Sequence, residues 1–233
     1  MIYCRNLNII FIKTTKVGGT SFEIALSKYC DGNDIVTPIK QPTDEYTRAN
    51  LGYQRPVNYE ELNRSNKLVS LGVTGDFRNH MTAGQIRRNI GNEIFSKSTK
   101  ISIHRDPIDF IVSLYWYHKK NDNNKKYKEY RHLSLREWLA DHYFKVKRNY
   151  KIAPIRGLNS PDIILNYATL VDDIKKVSEL PSSFLETFIS LRAKGDYRPR
   201  DTKDPIKFLK ENNCEDFIPK IIESSIRAKS FHK

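Results

Sequence analysis

Apolar residues fall along this chain in two kinds of run. The first kind is short and continuous. Asn8-Ile-Ile-Phe-Ile-Lys13 reads as a strand buried on both faces, as in parallel sheets, and as the first strand of the fold. Lys67 to Val73 has strand character, Thr99 to His104 alternates as a strand, and Asp162 to Tyr167 reads as another. The second kind is spaced for helices. Thr20 to about Lys28 puts Phe22, Ala25 and Leu26 on one side. Thr82 caps a helix that runs through Ile90 and stops at Gly91. Asp106 as N-cap and Pro107 at the first helical position open a helix whose Ile108, Ile111, Val112 and Tyr115 face a core. Further helices are expected from Ser134 to about Val146 and from near Thr169. Everything beyond Pro181 reads as helical, broken at Gly195 to Arg200 and at Pro205.

Strands that alternate with helices predict an α/β fold, a three-layer sandwich around a central parallel sheet, with a helical C-terminal part. A chain of 233 residues fits a single domain over 1–233. Residues 31–66 lose all periodicity to Pro, Asn, Gln and Tyr and read as an irregular insertion or lid. Residues 119–131, KKNDNNKKYKEYR, read as an exposed loop or a frayed helix end.

Composition narrows the function. A formal net charge of +13 implies an anionic partner, for which nucleic acid, an acidic polysaccharide and a small ligand with several phosphates would each serve. Hydrophobic content of 39% excludes wholesale disorder. No stretch approaches the ~20 apolar residues of a membrane span, and Ile9 to Ile12 is too short for a signal peptide, so the chain reads as cytoplasmic. Cys4, Cys30 and Cys214 stand at unrelated spacings that fit neither a disulfide framework nor a metal site.

Two segments carry the chemistry. Lys16-Val17-Gly18-Gly19-Thr20-Ser21 lies between a strand and a helix and has the features of an oxyanion cradle. Its glycines let backbone N–H groups converge, the helix N-terminus adds positive potential, and Lys16, Thr20 and Ser21 offer side-chain donors. A Walker A loop would need the lysine after the second glycine, not before it. The other segment is His104-Arg105-Asp106-Pro107 followed by Ser113. Arg105 can grip a phosphate in bidentate fashion, and Ser113 lies about two helical turns past Asp106, so the pair could share one anion.

In this order the two segments resemble the sulfotransferases that use 3′-phosphoadenosine-5′-phosphosulfate (PAPS), which carry K-[TV]-[GA]-G-T-S and later R-[DN]-P-x₅-S. Between them His80-Met-Thr-Ala-Gly-Gln-Ile-Arg-Arg-Asn-Ile-Gly91 looks like the H-x-T-A-x-x-I-R segment of the carbohydrate-type branch. The resemblance runs from about residue 8 to 118. It weakens over Ile163 to Leu170, where Asn166 and Ala168 replace charged family positions. It implies a P-loop-NTPase-like fold and transfer of a sulfuryl group from PAPS, without metal, to a hydroxyl of a carbohydrate. It further implies that Lys16, Val17, Gly18, Gly19, Thr20 and Ser21 hold the 5′-phosphosulfate and that Lys16 neutralises the leaving phosphate. Arg105 and Ser113 would hold the 3′-phosphate, and Arg198 and Arg200 would close over the nucleotide. His80 would be the general base, with a pKa near the usual ~6.5. A nucleotide-dependent kinase is disfavoured by the lysine placement and by the lack of a strand ending in a magnesium-binding aspartate. A nucleic-acid-binding module would explain the charge but not the ordered motifs.

Overall fold

The structure, a computed structural model, describes residues 1–60, 76–122, 127–191, 198–199 and 202–230. The expected strand at Lys67 to Val73 lies outside them. The apolar run after Asn8 forms β2 (Ile9–Ile12), but a three-residue strand, β1 (Ile2–Cys4), precedes it. The two pair antiparallel, Ile2 opposite Phe11 and Cys4 opposite Ile9. β3 (Ile35–Val36) pairs antiparallel with the other edge of β1. β4 (Thr99–His104) runs parallel to β2, and β5 (Ile163–Asn166) runs parallel to β4. The order is β3-β1-β2-β4-β5. The fold is therefore α/β, as expected, with β2, β4 and β5 parallel, but the sheet as a whole is mixed, because β1 and β2 are joined by a turn far too short for a parallel crossover.

The chain divides into two compact units, Met1–His104 with Ile152–Ala193, and Arg105–Lys151 with Lys194–Lys233. The first holds the whole sheet. Along β1 and β2 successive side chains point to opposite faces, and both faces are buried, which is why the sequence runs apolar without alternation. Ile2, Cys4, Ile9 and Phe11 pack with Phe22, Ala25 and Leu26 of α1 (Gly19–Ser27), Leu170 and Ile174 of α9 (Leu170–Lys175) and Phe184 of α10 (Phe184–Ser190). Phe11 and Phe22 are fully buried and stacked at 4.3 Å; burial alone stabilises each by about 2 to 3 kcal/mol. Met1, Tyr3, Ile10 and Ile12 pack on the other face with Ala83, Ile86 and Ile90 of α3 (Ala83–Ile90) and Phe95 of α4 (Asn92–Lys97). Helices thus cover both faces of the sheet. Thr82 caps α3 in a capping box with Gln85, and Gly91, at φ 91°, ends it. The stretch read as an irregular insertion contains β3 and α2 (Pro42–Asn50), a helix with only Leu-free, mostly polar turns and hence no apolar period to find.

Among the described residues the second unit is helical. Asp106 accepts from the N–H groups of Ile108 and Asp109 and Pro107 starts α5 (Pro107–Lys120), as the sequence predicts. α6 (Tyr127–Tyr130) is short, and Ser134 caps α7 (Leu135–His142), after which residues 143–146 tighten into a 3₁₀ turn before α8 (Lys147–Ile152). α11 (Pro205–Glu211) and α12 (Phe217–Ser230) complete it. Trp138 is fully buried, edge-on to Tyr115 at 5.6 Å and stacked on His142 at 4.6 Å. No helix among the described residues is long and apolar enough to cross a membrane.

Candidate functional site

The loop from Lys13 to Gly18 leaves the carboxyl end of β2. β2 and β4 are parallel and in register, Ile12 beside Ser102, so His104 leaves the sheet at the same end, and Arg105 follows it in the chain. Hydroxyls tie the loop to β4: Ser102 donates to the carbonyl of Ile12 at 2.9 Å, and Thr14 donates to the carbonyl of Ile103. Val17 plugs the loop into the core. Gly18 precedes α1 at φ 73°, a left-handed conformation that favours glycine, and supplies no side-chain cap to the first N–H groups of the helix. Gly19 packs on the stem of Lys13, where a Cβ would come within 3.0 Å of Cγ. Lys16 is half-buried; Thr20 and Ser21 are buried, and the Ser21 hydroxyl donates to the carbonyl of Leu191 at 3.0 Å.

Charges are buried behind this loop. Glu23, on α1 and wholly inaccessible, takes the Lys13 ammonium at 2.5 Å and the Met1 amino group on its two oxygens. The amino group also donates to the Thr37 hydroxyl at 2.9 Å. Burial works to raise the Glu23 pKa, but Lys13 and the amino group outweigh it and bring it down to about 2. Neither Lys13 nor Glu23 belongs to a recognised motif, and no sequence period announces them.

His80 joins the same loop. Its Nδ1 lies 3.0 Å from the carbonyl of Lys13. A carbonyl only accepts, so Nδ1 carries the proton and Nε2 the lone pair, the state a general base requires. The expected pKa near 6.5 does not hold: burial, and then the Lys13 ammonium, lower it to about 3, against the pull of the Lys13 carbonyl and Glu23. His80 also shares a backbone feature with Lys16. Among the described non-glycine residues, positive φ occurs at Asn8, Lys16, Asn58, His80 and Asn213. Asparagine tolerates that region; lysine and histidine are held there at a cost of about 1 to 2 kcal/mol each.

In the second unit Arg105 donates through Nε to Asp109 at 2.5 Å, and Arg198 donates through Nη1 to the other oxygen of the same carboxylate. Arg198 is also braced by the Thr202 carbonyl. Burial works to raise the Asp109 pKa, but the two guanidinium groups hold it below the usual carboxylate range. Sequence reasoning missed Asp109, although its place four residues after Arg105 on a helix is the spacing of an ion pair. Ser113 is buried on α5, two turns beyond Asp106. Arg200 lies outside the described residues. Of the basic stretch, Lys119 and Lys120 lie over the rings of Tyr115 and Trp116 at 5.6 and 5.1 Å, and residues 123–126 lie outside the described residues.

Beside the His80 segment, a surface depression of about 360 Å³ is lined by Thr82, Gln85, Arg87, Arg88, Asn92 and Asn159. Comparison with known proteins adds a relative. The chain is 30% identical over 126 residues to an uncharacterised protein of Archaeoglobus fulgidus, a match that takes in 51% of this chain and 98% of that protein. The chain belongs to the same family as this archaeal protein. Since the relative is uncharacterised, the kinship names no reaction. No family model matches the chain, and no solved structure does.

Proposed function

We propose that this chain is a PAPS-dependent sulfotransferase of P-loop-NTPase-like fold that passes the sulfuryl group to a hydroxyl of a carbohydrate. One observation carries the reading: Lys16 and His80, the two residues the family resemblance casts as catalytic, are both held at left-handed φ, and His80, hydrogen-bonded to the Lys13 carbonyl at the start of the Lys16 loop, presents the base tautomer. Strain of this kind collects at functional sites. The loop also suits a 5′-phosphosulfate, because Gly18 and Gly19 place no side chain of their own at the start of α1 and Lys16 precedes them in the loop.

In the transfer, the bond from sulfur to the donor's phosphate oxygen breaks as the bond to the acceptor oxygen forms. Lys16 neutralises the charge left on the phosphate, and Nε2 of His80 takes the acceptor's proton. Its low basicity in the free protein rises when an anionic donor occupies the loop, since nearby negative charge favours imidazolium. Arg105 and Arg198, aligned by Asp109, serve the 3′-phosphate.

The test is incubation with donor labelled in the sulfuryl group and a panel of glycans, tyrosyl peptides and phenols, without magnesium. Label is expected in glycans. Lys16→Ala should lower turnover by about two to three orders of magnitude, the loss of one oxyanion donor. Arg105→Ala should weaken calorimetric binding of 3′-phosphoadenosine-5′-phosphate, whereas His80→Ala should leave it nearly intact, because a phosphate contact acts in the ground state and a base only in the transition state. Transfer from ATP that requires Mg²⁺, with none from PAPS, would replace this reading by a kinase.

A further inference from the structure

The cysteine spacings match no metal motif, yet the fold gathers two of the three. Cys4 closes β1, Cys30 comes just after α1, and Asp34 immediately precedes β3. One atom from each, the two Sγ atoms and a carboxylate oxygen, lie within 4.8 Å of one another. Cys4 and Asp34 are fully buried, and Cys30 is half-buried. The Asp34 carboxylate is fixed by backbone donors, Oδ1 accepting from Arg5 N–H at 2.7 Å and Oδ2 from Asp31 N–H at 2.8 Å. Among the described residues it has no ion-pair partner. A carboxylate held in the interior by neutral N–H groups leaves a charge for which a cation is the natural counterpart. The thiols make long contacts to carbonyls, Cys4 Sγ to Tyr29 at 3.4 Å and Cys30 Sγ to Leu26 at 3.5 Å, and they also interact with each other and, through Cys30, with Asp34. That interaction, with burial, pushes the Cys30 thiol well up, so a bound cation must supply the charge that lets both thiols ionise.

We propose that Cys4, Cys30 and Asp34 form a binding site for a thiophilic divalent cation of the Zn²⁺ class. A tetrahedral zinc takes sulfur at ~2.3 Å and carboxylate oxygen at ~2.0 Å, which sets the ligand atoms about 3.5 to 3.8 Å apart. The gathered atoms reach that spacing by closing about 1 Å, within the range of cysteine χ1 rotation. Binding forms two metal–thiolate bonds and one metal–carboxylate bond and releases both thiol protons to solvent. Water completes the coordination from the Cys30 side.

The site lies away from the transfer chemistry. Cys4 pairs with Ile9 at the amino end of β2, whereas the Lys16 loop leaves the carboxyl end. The ion ties the end of β1 and the far end of α1 to the approach of β3. A disulfide between the two thiols would have no use for the positioned carboxylate.

The test uses the full 233-residue chain, reduced and stripped of metal, titrated with Co²⁺ and followed by the thiolate-to-cobalt charge-transfer absorption, with zinc competing. One equivalent of Co²⁺ should produce the band, and Zn²⁺ should displace it and raise the melting temperature. Cys30→Ser should abolish the band, Asp34→Asn should weaken binding at least ~10-fold, and Cys214→Ser should change neither. Cys30→Ser carries the test if Cys4→Ser fails to fold. A wild-type chain that gives no band, a band that survives Cys30→Ser, or one lost in Cys214→Ser overturns the proposal.

Discussion

Replacing Glu23 by glutamine keeps the shape of the side chain and removes one charge from a site with no access to water. The Lys13 ammonium, 4% exposed, then loses the carboxylate at 2.5 Å, and the Met1 amino group loses its anion as well. An unpaired ammonium in such a place discharges rather than stay ionised. That escape sets a ceiling: holding a lysine of ordinary pKa ~10.4 neutral at pH 7 costs about 4 to 5 kcal/mol at 1.36 kcal/mol per pH unit. Buried pairs broken on one side lose about 3 to 5 kcal/mol, so the two routes agree and about 3 to 4 kcal/mol is expected. Against a typical total of 5 to 15 kcal/mol this is a large fraction. Urea denaturation at pH 7 and again near pH 10 reads it. The penalty should shrink at the higher pH, where Lys13 discharges at less cost, and a joint Lys13→Met and Glu23→Leu replacement should recover most of it. A loss under about 1 kcal/mol at pH 7, or one equal at both pH values, would refute the account of this cluster.

Acid should weaken the fold in two overlapping steps. The folded pKa of His80 (about 3, against 6.5) and that of Glu23 (about 2, against 4.5) both lie below their unfolded values, so the unfolded chain binds protons first. The His80 contribution is whole above pH 6.5 and is lost between 6.5 and 3, and the Glu23 contribution is whole above pH 4.5 and is lost between 4.5 and 2. His80→Asn, which tolerates the left-handed φ, should flatten the first limb in melting curves taken across that range; an unchanged slope would clear His80 of the effect. At the loop, Lys16→Gly should be more stable than Lys16→Ala by about 1 kcal/mol, since φ 59° strains any residue with a Cβ. Equal melting temperatures for the two variants would remove the strain argument.

What the sequence disclosed was local. Caps at Thr82 and Asp106 are read from one residue and its neighbours, and both stand where the spacing puts them; the helix expected from Ser134 starts there as well, with Ser134 as its cap. β2 announces itself because burial on both faces makes it apolar throughout, β4 because its apolar and polar residues alternate, and β5 because it opens on a short apolar run. β1 and β3 escape notice at three and two residues, shorter than any window that detects a period. The candidate site divides along the same line. Lys16, Gly18 and Gly19 lie in one loop and form a readable motif. Glu23 with Lys13, His80 with the Lys13 carbonyl, and Cys4 with Cys30 are meetings across 10, 67 and 26 positions. Such meetings follow from topology, and no local spacing encodes them. The ordinary pKa expected of His80 fails for that reason: nothing near it in sequence says that the ring is buried, or that a lysine lies behind it.

The helix α1 shows how these separate features depend on one element. All nine of its residues are buried, so it has no polar face, and a period-based reading finds only Phe22, Ala25 and Leu26 of its contacts. A helix enclosed on all sides cannot shift along its axis or turn about it without breaking packing on several sides at once. Its amino end therefore holds the Gly18–Gly19 backbone in fixed relation to β2, which a cradle for an anion requires. Its second turn carries Glu23 to the Lys13 ammonium, and Lys13 in turn supplies both the surface on which Gly19 rests and the carbonyl that sets the His80 tautomer. Glycine at 19 follows from that contact, because a side chain there would meet the Lys13 stem at 3.0 Å and push the ammonium away from its carboxylate. The buried ion pair is then less a source of net stability, which such pairs rarely supply, than the fixed point that gives the loop and the histidine one geometry.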